Sequence, residues 1–180
     1  MIRFLAAVAA LFVIAPALAQ PLPANLDKDN AIVIDTTKGR VIVKLRPDLA
    51  PKHVERLKQL ARDGYYDNVP FHRVIDGFMA QTGDGQNFNG TGGSKYPNLK
   101  AEFTSTEFKR GVVGMARASS PDSANSQFFI MFADGPSLNG KYTVVGEVVS
   151  GMQVVDKMKR GEPVSDPDKM VKVQVAADIK

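Results

Sequence analysis

Phe71-His72-Arg73-Val74-Ile75-Asp76-Gly77-Phe78-Met79-Ala80-Gln81 is the stretch on which the reading of this chain turns. Two short apolar runs flank Asp76-Gly77, a turn signal, and an arginine stands in the first run among Phe, Val and Ile. Successive side chains of a strand leave on opposite faces. Phe71, Arg73 and Ile75 are therefore expected on one face, His72 and Val74 on the other. An arginine on an apolar face snorkels to water, pairs with an acid, or awaits a ligand. Taken singly, Phe78 and Met79 read as core residues and Gln81 as an ordinary strand polar group.

The same short-run pattern extends in both directions. Ile32-Val33-Ile34 and Val41-Ile42-Val43 flank Thr37-Lys38-Gly39 and predict a hairpin. Pro51 suits a first helical turn; Val54, Leu57 and Leu60-Ala61 follow at helical spacing, and Gly64 closes the pattern. Further strands are expected at Val112–Ala116, Phe128–Phe132 and Val144–Val149, separated by turn signals such as Asn139-Gly140. A second helix is expected through Met152, Val155 and Met158, ending before Gly161. Val171, Val173 and Val175 alternate as a final strand. Many short strands with two helices point to an antiparallel barrel or sandwich. No internal repeat and no dividing linker is visible, so one domain is expected over residues 31–180, preceded by a loose lead-in at 20–30.

With 180 residues, 44% apolar and 23% charged, the chain has material for one self-supporting core and too little charge for a disordered one. It has no Cys, which excludes disulfides, thiol nucleophiles and Cys-ligated metal sites. His53 and His72 are its only histidines, too few for a multi-histidine metal centre. The net charge of +4 is scattered among acids, with no basic stripe of the kind that tracks phosphates, so no nucleic-acid partner is expected.

Arg3, the apolar run Phe4–Ile14, Pro16 and Ala17-Leu18-Ala19 have the order of a secretory signal peptide. The alternative, a membrane anchor, falls short of the roughly 20 apolar residues a spanning helix needs. Cleavage after Ala19 and a periplasmic or secreted mature chain are expected, with no membrane span after processing. An exported chain without cysteines suits an oxidising compartment.

Most catalytic chemistries lack their parts. No Gly-x-Ser-x-Gly elbow accompanies either histidine, and nothing singles out a pair of carboxylates for glycoside hydrolysis. Gly83–Gly93 resembles a phosphate cradle, but it lacks the Gly-Lys-Ser/Thr ending and no helix pattern follows. It reads instead as a turn whose glycines permit positive φ. Asn89-Gly90-Thr91 is a formal glycosylation sequon, relevant only on a eukaryotic secretory route.

Taken together, Phe71-His72-Arg73-Val74-Ile75, Gly77-Phe78-Met79 and Gln81-x-Gly83-Asp84 closely resemble the cyclophilin signature. The likeness continues through Asn89-Gly90-Thr91-Gly92-Gly93, Gly114-Met115-Ala116, Ser126-Gln127-Phe128-Phe129-Ile130, Leu138-Asn139-Gly140-Lys141 and Val145-Gly146-Glu147-Val148. It covers about Ile32 to Val175, and with the leader it resembles the bacterial exported branch. The resemblance implies a closed eight-stranded antiparallel β-barrel capped by two α-helices, a fold that is mostly β. It also implies peptidyl-prolyl cis–trans isomerase activity without cofactor or metal, on proline-containing unfolded or flexible polypeptides, by a monomer. By position, Arg73 matches the catalytic arginine. Phe78, Met79, Phe129 and Leu138 match the proline pocket, and Gln81 and Gln127 the polar groups that hold the substrate backbone, with Gln81 also able to orient Arg73. Ala116 matches a groove residue.

Four positions depart from the family pattern. Arg117 stands where many members have Asn, a residue that works mainly through its main chain. Asp76 replaces a common Pro, for which only a changed turn is expected. Tyr142 replaces a common His. Ser137 replaces an aromatic, which opens one wall of the pocket and implies weak binding of the cyclic peptide cyclosporin.

Overall fold

A computed structural model describes residues 21–180; the expected signal peptide lies outside them. The strands form one curled antiparallel sheet in the order β3-β9-β1-β2-β8-β6-β7-β5-β4. Their ranges are β1 Ala31–Thr36, β2 Gly39–Leu45, β3 Val69–Pro70, β4 Arg73–Ile75, β5 Met79–Thr82, β6 Val112–Met115, β7 Phe128–Met131, β8 Val144–Ser150 and β9 Lys169–Val175. Helix α1 spans Pro51–Arg62 and α2 Met152–Val155.

The expectation of eight strands in a closed barrel is corrected to nine strands in a sheet with two ends. The ends are β3 and β4, separated in the chain only by Phe71-His72. Residues 158–168 cover this seam. Val74 and Gly161 exchange backbone hydrogen bonds at 2.9 and 2.8 Å, Val164 N–H donates to His72 O, and Phe71 N–H donates to Asp168 O. These bonds draw Phe71 and His72 out of the strand. Phe71 joins the main core beside Val74 instead of sharing a face with Arg73, so the expected alternation holds only from Arg73 to Ile75.

The first hairpin is as expected, with Thr36 opposite Gly39. In α1 the apolar stripe Val54, Leu57, Leu60 and Ala61 is buried against the sheet. The second helix is shorter than its pattern: after α2, single tight-turn bonds (Lys157 N–H to Val154 O, Met158 N–H to Val155 O) carry the chain on. They keep Met158 on the core side while freeing Gly161 for the seam. In the segment expected as a loose lead-in, Leu22 and Leu26 lie with Ile179 against Ala31, Val33 and Ile42.

Strand alternation sorts the β4–β5–β7–β6 region into two apolar clusters. Val74, Ala80, Phe128, Ile130, Val113 and Met115 face the main core. Ile75, Met79, Phe129, Met131 and Val112 face the other way, into a smaller cluster with Phe108, Phe78, Leu138 and Tyr142. The site is built on this second face.

Candidate active site

The strand register sets Arg73 opposite Gln81, Gln81 opposite Phe129, and Phe129 opposite Gly114, so one cross-strand row carries a cation, an amide, an aromatic ring and a gap. The gap has a purpose: a Cβ at Gly114 would lie 2.6 Å from the rings of both Phe108 and Phe129. Those rings stack at 5.7 Å between centroids. The edge of Tyr142 meets Phe129 at 5.8 Å. The next row, Ile75 opposite Met79 and Met79 opposite Met131, completes the apolar floor.

A pocket of about 200 Å³ opens above this floor. Phe78, Met79, Phe129, Leu138 and Tyr142 give its apolar walls, and Arg73 and Gln81 its polar side; Ala116 and Arg117 stand at its margin. Met79 and Phe129 are buried, while Phe78, Leu138 and Tyr142 are partly open. A second cavity of about 320 Å³ adjoins it, sharing Gln81, Ala116 and Arg117 and adding Gln127. Every site residue expected from sequence therefore lines one of two contiguous hollows. Ser137 sits exposed in a tight turn at Pro136–Leu138 and lines neither.

The polar side has a fixed hydrogen-bond direction. Gln127 Nε2 donates to Gly90 O at 2.9 Å and Gly92 O at 2.8 Å. Its Oε1 must then accept, and Gln81 Nε2 donates to it at 3.0 Å. Gln81 Oε1 is thereby turned toward Arg73, whose Nη1 donates to it at 3.3 Å. Two backbone carbonyls thus decide how both amides point.

The carbonyls belong to a loop wrapped around one carboxylate. Asp84 is fully buried and accepts from the backbone N–H groups of Gln86, Asn87, Asn89, Gly90 and Gly92. Burial pushes its carboxyl upward, but the amides of Asn87, Gly92, Gly90 and Gln86 outweigh it and hold the group below its ordinary value. The amides that gave this loop the look of a phosphate cradle are occupied by the protein's own anion. Gly90, at φ +94°, lies so close to His72 that a Cβ would come within 2.9 Å of the ring. His72 is buried, and burial lowers its pKa.

Glu162, which the sequence reading did not single out, forms an ion pair with Arg73 Nε. This is the acid partner that an inert, packed arginine requires. However, Glu162 is 57% and Arg73 36% exposed, and the pocket beside them is open. The pair braces the guanidinium without burying it. Among the described residues no group of three or more His, Asp or Glu side chains is placed to hold a metal, and no helix is long and apolar enough to cross a membrane.

A curled antiparallel sheet thus carries an arginine at the edge of an open, apolar pocket of ring size. Residues 31–177 match the profile of cyclophilin type peptidyl-prolyl cis–trans isomerase/CLD; the chain belongs to that family and is a peptidyl-prolyl cis–trans isomerase. It is 55% identical over 169 residues to a probable peptidyl-prolyl cis–trans isomerase of Brucella suis, covering 86% of each chain. A peptidyl-prolyl cis–trans isomerase-like 1 of Aspergillus fumigatus is 42% identical over 130 residues, 71% of this chain and 80% of that one. Among solved structures, the cyclophilin AquaCyp293 from Hirschia baltica superposes with a TM-score of 0.79 at 28% identity, over 86% of this chain and 77% of that chain. A Cryptosporidium parvum cyclophilin-type isomerase crystallised in the presence of the dipeptide Ala-Pro superposes at 0.74, also at 28% identity, over 81% and 98%.

Proposed function

We propose that this isomerase acts on exported polypeptides in the periplasm, after removal of residues 1–19, and that Arg73 is its catalytic group. The observation that carries the assignment is the guanidinium, fixed by Gln81 and Glu162 at the edge of an open apolar pocket.

Rotation about an X–Pro bond crosses a barrier of roughly 20 kcal/mol, because twisting the amide costs its resonance. No bond is made or broken, so no nucleophile or metal is needed. In the twisted state the proline nitrogen recovers its lone pair and becomes an acceptor. A guanidinium aimed at that nitrogen stabilises the twisted amide more than the planar one, which is selective binding of the transition state. A preorganised donor of this kind is worth about 3 kcal/mol. Phe78, Met79, Phe129 and Leu138 hold the ring by apolar burial, at about 25 cal/mol per Å². Gln81 and Gln127 hold the backbone, and the carbonyl side of the peptide swings while the ring stays fixed. An acceleration of ~10⁵-fold asks about 7 kcal/mol of the site, which the arginine, the ring anchor and partial desolvation share.

The test is the cis-to-trans rate of a short X–Pro peptide with the mature chain and with Arg73→Ala. The wild type is expected to accelerate the rate, and the variant to lose about two orders of magnitude in kcat/KM while keeping its fold. An unchanged variant refutes the role of Arg73. A second reading, a non-catalytic proline-peptide-binding or chaperone module, draws on Ser137 leaving one side of the pocket without an aromatic wall. It predicts peptide binding with no acceleration. The same open side supports weak cyclosporin binding. For the location, the cell fraction containing the protein and its N-terminal residue decide; Gln20 at the N-terminus in periplasmic extract is the expected result. A monomer is the expected solution state.

A further inference from the structure

The groove is charged with one sign. Among the described residues no acidic side chain lines either of the two adjoining cavities, and Arg73 and Arg117 are the charged residues that do. The two arginines differ in how they are met. Arg73 has Glu162 against its Nε. Arg117 has no carboxylate within ion-pair distance among the described residues. It is held instead by neutral carbonyls: Nη1 donates to Ala118 O at 2.9 Å and Ser119 O at 3.2 Å, while Nε and Nη2 both donate to Lys141 O, at 3.3 and 3.1 Å. Its guanidinium lies 4.6 Å from the centroid of the Tyr142 ring. A guanidinium carries five N–H donors, so one Nη2 hydrogen remains for a ligand.

Neutral acceptors and an aromatic face fix the position of a cation without cancelling its charge. Arg117 is partly buried and already ordered, so little side-chain freedom is lost when a ligand reaches it. It stands where the two cavities meet, since both share it with Gln81 and Ala116. A peptide with its proline ring in the smaller cavity must pass this point to place its neighbouring residues in the larger one.

We propose that Arg117 is a specificity-determining residue that selects X–Pro substrates carrying an acidic side chain in the segment running from the proline pocket into the neighbouring cavity. This rests on the reading that the pocket beside Arg73 receives the proline ring. A carboxylate in that segment meets an uncompensated, preorganised guanidinium in a cleft with apolar walls, where charge is screened less than on an open surface. A lysine in the same place meets the uncompensated charge of Arg117, with no acidic side chain among the described residues lining that cavity.

The experiment uses the mature chain and a set of X–Pro peptides with Glu, Gln or Lys placed in turn at each residue flanking the proline. kcat/KM is measured at low and at high salt. At one position Glu is expected to exceed Lys by about tenfold at low salt, with Gln between them, and the ratio should shrink at high salt. Arg117→Gln should bring the ratio close to unity at low salt, and Arg117→Lys should keep part of it. A Glu-to-Lys ratio near unity at every position in the wild type overturns the proposal, as does a ratio that survives Arg117→Gln. The salt arm needs only the wild type, so it stands even if a variant fails to fold. Absence of acceleration on the neutral Gln peptides would instead strike at the isomerase reading on which the proposal rests, a result distinct from equal rates on all peptides.

Discussion

At the scale of single residues, the direction in which Gln81 faces Arg73 is settled two residues away, by the carbonyls of Gly90 and Gly92 on Gln127. Gln127→Glu replaces the donor with an oxygen and sets it against two carbonyls. The chain of amides then loses its direction, and kcat/KM is expected to fall at least tenfold, with a lower thermal midpoint because both carbonyls lose their donor; an unaltered rate would mean that Arg73 is held without this chain. Asp84→Asn reaches the same place from below. An amide oxygen cannot serve all five amides, and the NH₂ group must face some of them. A loss of about 2 kcal/mol in stability should accompany a lower rate, with shifted side-chain amide resonances for both Gln81 and Gln127. The residues matched to the signature were legible because they sit in contiguous motifs. Glu162 was not: it lies 89 positions from Arg73 and reaches it only because the chain folds back along the seam. Asp84 was visible as a motif letter, but the wrapping of five amides around it is backbone geometry with no sequence spacing of its own.

At the scale of elements, α1 begins at Pro51 with Ala50 as its N-cap, a residue with no side chain to accept from the first free N–H groups. Glu102 supplies the cap from across the fold, accepting from Lys52 N at 3.2 Å and His53 N at 3.1 Å. It also receives His53 Nδ1 at 2.6 Å, a carboxylate partner that places the ring proton on that nitrogen. Glu102→Ala is expected to cost about 2–3 kcal/mol, read as a lower urea midpoint with an unchanged slope; a change within a few tenths would mean the cap is idle. Helix α1 was legible because its periodicity runs over several turns and Pro51 marks its start. Helix α2 was read too long because Met158 keeps the helical spacing while its backbone has already changed to single turns. Spacing reports which side chains are buried, not which carbonyl each N–H meets.

At the scale of the molecule, both histidines are buried, which disfavours their charged forms. Burial lowers the pKa of His53, outweighing the pull of Glu102 in the other direction, and burial also lowers that of His72. The unfolded chain therefore takes up protons that the fold refuses. The stability linked to these groups is complete above their ordinary value of 6.5 and is lost as the pH falls below it. The slope is at most about 1.4 kcal/mol per pH unit for each histidine. Lowered carboxyl values at Glu102 and Asp84 extend the loss at lower pH. A urea midpoint that is lower at pH ~5.5 than at ~7.5 is the expected result, and equal midpoints would count against buried neutral imidazoles. The number of strands and the curl of the sheet were close to legible from turn signals and alternation. The seam was not, because Phe71 and His72 carry the letters of a strand while their backbone bonds go to residues 158–168.

The order of strands also bears on the way the chain can be made. The first strand, β1, pairs with β2 and with the last strand, β9, and β3 has β9 as its sole neighbour in the sheet. A chain that emerges from its amino end must therefore keep one flank of β1 waiting, apolar and unpaired, until residues 169–175 arrive. Synthesis can proceed strand by strand, but closure cannot. The sheet is complete only when β9 is in place, so until the last residues of the chain are made β3 has no partner and β1 has one flank open.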